Sequence, residues 1–127
     1  MSALAPKASA AEAARYISTR GRMPAARFCD VLLGGLAPDG GLVMPQSYPR
    51  FDADELGRLR TLSYPELASA IISRFIDDIP RAALDALVRR AYRAEIFGSA
   101  EITPLQTLEP GLHLLKLSNG PTLAFKD

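Results

Sequence analysis

Ser63 and Glu66 stand three residues apart, immediately ahead of an apolar run, and Leu62 and Leu67 occupy the two positions whose contact makes a hydrophobic staple. At that spacing the serine hydroxyl can accept from the Glu66 backbone N–H, and the Glu66 carboxylate can reach back to the Ser63 N–H. A helix start is therefore fixed here. Leu67, Ala68, Ile71, Ile72 and Phe75 follow at helical spacing, which predicts one apolar stripe with Ser73 and Arg74 facing away. Asp77-Asp78-Ile79-Pro80 ends this helix and begins another, in which Leu84, Leu87, Val88, Ala91 and Tyr92 repeat the pattern. The two helices are expected to pack on each other and on short strands. Asp52 and Glu55 have the same capping spacing at the head of a briefer helix through Leu56 and Leu59.

The flanking segments are broken into short pieces. Arg15 to Arg20 has the β-branched and aromatic content of a strand, ended by Gly21. Pro24 suits the first turn of a helix carrying Phe28, Val31 and Leu32 on one side, with Gly34 or Gly35 as its C-terminal cap. Pro38-Asp39-Gly40-Gly41 is a turn followed by a strand, Leu42-Val43-Met44, and then by an irregular connection through Pro45 and Pro49. Beyond Gly98 the texture changes. Thr103-Pro104 opens an extended stretch, and Leu112 to Leu117 reads as a strand between Pro110-Gly111 and Asn119-Gly120-Pro121, with no obvious partner nearby. The organisation expected is an Ala-rich disordered tail over residues 1–14, a domain over 15–100, and the truncated start of a second domain over 101–127. The fold class expected is α+β: a small helix-rich domain with a few short strands.

Bulk properties exclude several functions. A chain of 127 residues, 48% hydrophobic and 23% charged, can bury a core but is short for an enclosed active site. Fifteen basic against fourteen acidic residues provide no field to hold nucleic acid or an anionic membrane. Cys29 stands alone, so there is no intrachain disulfide or cysteine metal cluster, in keeping with a reducing compartment. No segment has the apolar length of a membrane span or a secretory leader, and the start is poor in the arginine that an organelle transit peptide carries; the expected location is the cytoplasm.

The residues that can carry chemistry lie in Gly120-Pro121-Thr122-Leu123-Ala124-Phe125-Lys126-Asp127. A turn at Asn119-Gly120-Pro121 leads through apolar residues to Lys126. If those neighbours desolvate its ammonium, the neutral amine can condense with an aldehyde as a Schiff base. Taken alone, the same lysine also reads as an ordinary solvated side chain. His113 has no partner at metal-ligand spacing, and no metal site is expected. Ser63 is explained by capping, Cys29 by packing, and Arg89, Arg90 and Arg93 by a solvated helix face. Gly34-Gly35 and Gly40-Gly41 lack the spacing of a phosphate-binding loop and read as turns.

The octapeptide resembles the pyridoxal-phosphate (PLP) lysine motif of the threonine synthases. Upstream segments are similar to the N-terminal domain of that family in the same order: Tyr16 to Gly21, Gly35 to Leu42 with Pro45 after it, Leu62 to Ala68, and the helical pair from Phe75 to Tyr92. The resemblance covers nearly everything after residue 14. It implies a fold-type-II (tryptophan synthase β-like) PLP enzyme that converts O-phospho-L-homoserine and water to L-threonine and phosphate, monomeric when complete. It makes Lys126 the catalytic and cofactor-binding lysine, and Asn119, Gly120, Pro121 and Thr122 the loop that presents it beside the substrate; it leaves Asp127 without a role. Many members of the family have His at the position of Asn119, and only His titrates near neutral pH. The family also needs a Gly-rich cradle for the cofactor phosphate, so the chain by itself is expected to be inactive. Two other readings stay open: another PLP-dependent eliminase such as a serine or threonine dehydratase, and a non-catalytic interaction module.

Overall fold

A computed structural model describes residues 13–124, 126 and 127. The disordered tail expected over 1–14 lies, for residues 1–12, outside the described residues. The chain divides into two compact units, one holding the residues up to Pro49 together with Phe75–Asp78, the other Arg50–Arg74 together with Ile79–Asp127.

In the first unit, β1 (Tyr16–Ser18) pairs antiparallel with β2 (Val43–Pro45), Ile17 facing Met44, and α1 (Phe28–Gly34) lies between them in sequence. The Ser18 hydroxyl, buried, donates to Asp39 Oδ1 at 2.6 Å. Asp39 also accepts the N–H groups of Gly41 and Arg22, so one carboxylate closes the turn that brings β2 back to β1. Gly40 takes the positive φ this turn demands, at 74°. Tyr16 is anchored at both ends, its hydroxyl donating to the Phe75 carbonyl at 2.9 Å and its ring lying 6.0 Å from that of Phe28. Asp77 accepts the Ala14 N–H, and the almost fully buried Asp78 accepts the Cys29 N–H at 2.9 Å. Arg27 sits between these two carboxylates at 3.7 and 3.8 Å.

Pro24 does not begin α1. Ala26 exchanges two backbone hydrogen bonds with Tyr16, at 2.9 and 3.0 Å, so the chain stays extended until Arg27 and the helix starts at Phe28. On α1, Phe28 and Val31 are half-buried, while Leu32 and Leu33 face solvent. Its C-terminal cap is Gly35, at φ 73°.

The second unit opens with α2 (Ala53–Leu59), where Asp52 and Glu55 form the capping box expected of them. In α3 (Tyr64–Ile72) the Glu66 carboxylate accepts both the N–H and the hydroxyl of Ser63. α4 (Arg81–Ala91) follows Pro80 and buries Leu84 and Val88. The stripe predicted for α3 is displaced. Its buried residue is Ser69, Ile71 is partly exposed, and Phe75 lies beyond its end. The cause is polar: Ser69 donates to Asp85 of α4, Arg81 of α4 donates to Asp85 at 2.7 Å and to Ser69 at 3.1 Å, and Arg81 also donates to Ser73. Ser73, expected to face away, is held by that guanidinium. A buried hydroxyl and a half-buried carboxylate with these partners avoid the cost that unpaired polar groups would carry at a helix contact.

A single turn, α5 (Ala94–Phe97), passes unnoticed in the sequence; it closes at Gly98 in the left-handed region. Tyr92 stacks edge-on against Tyr64 at 5.2 Å and leans on Phe97 at 5.8 Å. The strand from Leu112 does have a partner: β3 (Leu105–Glu109) pairs antiparallel with β4 (Leu112–Leu115) across a Pro110-Gly111 turn, with an irregularity between Thr107 and Glu109. Leucines on both faces of this hairpin are exposed. No helix among the described residues is long and apolar enough to cross a membrane.

Two expected outcomes follow from these contacts. Leu84→Ala, at a side chain 5% exposed, should lower unfolding free energy by about 2–5 kcal/mol, whereas Leu87→Ala, at one 51% exposed, should cost under about 1 kcal/mol in the same denaturation experiment. Equal losses would mean that α4 buries a different face. The Ser18 hydroxyl, then the Gly41 N–H, hold the Asp39 pKa below its ordinary value. A carboxylate depressed in the fold stabilises it above the unfolded value of about 3.9 and loses that contribution as pH falls through the lower folded value. Asp39→Asn should therefore flatten the acid limb of a stability-against-pH curve below about pH 4. Superimposable limbs would exclude Asp39 as a source of acid sensitivity.

Candidate functional site

The Lys126 loop leaves the hairpin at Lys116, whose N–H donates to the Pro104 carbonyl at 3.0 Å. Three residues later Asn119 fixes the chain. Its Nδ2 donates to the carbonyl oxygens of Phe97 and Ile102, both at 2.9 Å, so both amide hydrogens are used. Ile102 is buried at φ 62°, a conformation that strains a β-branched residue and that persists only when its surroundings hold it. The Asn119 bond to its carbonyl is one such restraint.

From Gly120 the backbone makes two turns. The Leu123 N–H donates to the Gly120 carbonyl at 3.0 Å, with Leu123 itself at φ 56°, and the Asp127 N–H donates to the Ala124 carbonyl at 3.2 Å. The Asp127 carboxylate then returns to the start of the loop. Its Oδ2 accepts the Thr122 N–H at 2.9 Å and its Oδ1 accepts the Thr122 hydroxyl at 2.6 Å. That hydroxyl is the main reason the Asp127 pKa lies below the ordinary carboxylate value. Gly120 is buried under this closure, and a Cβ placed on it would stand 2.5 Å from Asp127 Cβ.

Lys126 occupies a central position of the second turn and is exposed. The apolar shelter expected around its amine is not supplied by the described part of the loop: Leu123 is 76% exposed and Ala124 half-buried, while Phe125 lies outside the described residues. Of the residues expected to shape the loop, Asn119 and Gly120 face inward, while Pro121 and Thr122 are exposed. Asp127, to which sequence reasoning gave no role, closes the loop. The available signal was a Thr five residues before an Asp, directly after Gly120-Pro121.

Other candidates are accounted for locally. His113 Nδ1 lies 3.1 Å from the Thr107 hydroxyl across the hairpin. Cys29 is a free, half-buried thiol whose pKa is raised by burial and then by the Asp78 carboxylate. Arg89, Arg90 and Arg93 are exposed. The described residues contain no cluster of three or more His, Cys, Asp or Glu side chains placed to hold a metal ion.

Residues 15–92 match the family model described as the threonine synthase N terminus. The chain belongs to the threonine synthase family. It is 53% identical over 120 residues to the threonine synthase of Methylobacillus glycogenes, covering 89% of this chain and 25% of that protein. It is 49% identical over 118 residues to the threonine synthase of Corynebacterium glutamicum, covering 88% and 24%. Among solved structures it is similar to PLP-bound threonine synthase from Brucella melitensis, with a TM-score of 0.82 at 43% identity over 90% of this chain and 24% of that one. The chain thus spans about a quarter of the length of these relatives. The α+β build of short helices and strands expected from its sequence is the one observed.

Because Asn119 satisfies two carbonyls with one side chain, Asn119→Ala should lower stability by about 1–3 kcal/mol in chemical denaturation. A change below about 0.5 kcal/mol would mean that these carbonyls find other donors at little cost.

Proposed function

We propose that this chain is the N-terminal quarter of a PLP-dependent lyase that converts O-phospho-L-homoserine and water to L-threonine and phosphate, with Lys126 as the residue that binds the cofactor covalently. The observation that carries the reading is Lys126 itself, presented at a turn in the Gly120–Asp127 motif of a chain 43% identical to a PLP-bound threonine synthase. A fold-type-II domain completes the protein. Residues 15–100 form its N-terminal domain, in keeping with the family match over 15–92, and residues 101–127 begin the catalytic domain.

The residues present fit the cofactor. A Schiff base requires a primary amine not committed to a carboxylate, and among the described residues Lys126 has no salt-bridge partner. The adjacent Asp127, the obvious competitor for that charge, is occupied by Thr122. When bound, PLP supplies an electron sink for carbanionic chemistry next to the substrate amine. Lys126 Nζ would hold the cofactor aldehyde, and its amine, when free of the cofactor, would carry protons beside the substrate. Asn119 has no titrating group and its donors are committed to two carbonyls, so on this reading it orients the loop and moves no proton. The cradle for the cofactor phosphate and the groups that hold the substrate phosphate belong to the rest of the polypeptide, and the 127-residue chain alone is inactive. The complete enzyme is cytoplasmic and acts on a small molecule as a monomer.

In the complete protein, Lys126→Ala should abolish covalent PLP attachment and lower threonine formation by about three orders of magnitude or more. Phosphate and threonine are measured with phosphohomoserine as substrate, with serine as the comparison. Near-normal turnover without Lys126 removes the assignment, and preferential turnover of serine replaces the reading with that of a dehydratase.

A further inference from the structure

We propose that Asp127 is a positioning residue for Lys126: its carboxylate, by binding both the N–H and the hydroxyl of Thr122, locks the Gly120–Asp127 loop in the one backbone form that presents the lysine amine. The proposal rests on the reading of Lys126 as the cofactor lysine and deepens it.

A carboxylate next to a reactive lysine has three obvious uses: ion pairing with the amine, accepting its proton, or shaping the backbone that carries it. The geometry points to the third. Oδ1 and Oδ2 both turn back to Thr122, at 2.6 and 2.9 Å, and the bonds tie the two ends of a six-residue segment together with Lys126 inside it. At neutral pH the carboxylate is ionised, so both contacts are charge-assisted acceptor bonds, about twice as strong as neutral ones.

Two further residues are explained by the closure. Gly120 is required because a Cβ there would meet Asp127 Cβ at 2.5 Å, Oδ2 at 2.7 Å and Cγ at 2.9 Å. Leu123 is held at φ 56°, which an L-residue leaves readily unless the chain on either side is fixed. Thr122 and Gly120 thus serve Asp127. The consequence for chemistry is one of placement. A lysine that repeatedly binds, releases and recaptures an aldehyde carbon reacts at a rate set by how often Nζ returns to the same position. Its four-carbon stem is flexible, so the backbone from which it springs has to be fixed.

The test uses the complete protein, freed of cofactor, and PLP as the probe. Attachment is followed by borohydride trapping and identification of the modified peptide. Asp127→Ala should slow attachment at Lys126 about tenfold and Thr122→Val, which keeps the backbone N–H bond, by a smaller factor, and the double variant should be no slower than Asp127→Ala, because the carboxylate makes both bonds of the closure. Thr122→Ser, which keeps both donors, should attach PLP at the wild-type rate. A structural collapse would also weaken non-covalent PLP binding, so Asp127→Ala is repeated in the Lys126→Ala background, where the dissociation constant should stay within about twofold. Wild-type attachment in Asp127→Ala, additive losses in the double variant, or parallel weakening in the Lys126→Ala background would each overturn the role of Asp127. Recovery of PLP on a different lysine would overturn the assignment of Lys126 itself, and the positioning role with it.

Discussion

Both hydrogens of one side-chain amide are spent on two main-chain carbonyls, and the candidate loop depends on that choice. Asn119 joins the end of α5, through the Phe97 carbonyl, to the strained Ile102, and so fixes where the chain enters its last eight positions. Without those bonds two partly buried acceptors would lack donors and Ile102 would lose a restraint on its positive φ. The loop beyond is short, and its geometry is inherited from that entry point.

A second pattern recurs wherever the chain must be pinned. Ser18 binds Asp39 in the first unit, Ser69 binds Asp85 between α3 and α4, and Thr122 binds Asp127 in the loop. In each case a hydroxyl donates to an aspartate and is the leading cause of a lowered carboxylate pKa. Such pairs are short and directional, and they suit places where the chain turns sharply and little apolar area can be buried. This is a fold of short segments fastened by small polar residues as much as by its few buried hydrophobic ones.

Local chemistry was legible, and distant pairing was not. The Asp52–Glu55 and Ser63–Glu66 boxes could be read directly, because both partners lie within one helical turn and no other part of the chain decides them. The break at Pro80 and the Gly21, Gly35 and Gly40 turns were equally readable. The start of α1 was misplaced because Ala26 bonds to Tyr16 across ten residues, and the apolar stripe of α3 because Arg81 and Asp85 draw Ser69 and Ser73 inward from another helix. The extended stretch after Pro104 was legible, but its pairing with the strand from Leu112 was not, because its pattern is not clearly alternating. In the candidate site Lys126 could be named from the motif, while the return of Asp127 to Thr122 and the two bonds of Asn119 could not, since each depends on how the folded backbone places groups that residue type and spacing leave undecided.

By itself the sequence determined the family, the capped starts of α2 and α3 and the principal turns. Each of these resides in residue type and short spacing, where backbone sterics and local hydrogen bonds leave few options. Tertiary structure alone decided which polar side chains are buried, which carbonyls Asn119 serves, and that the Asp127 carboxylate turns back to Thr122. Those outcomes depend on how the backbone is folded, since a hydrogen bond acts only between atoms that the fold has brought within reach.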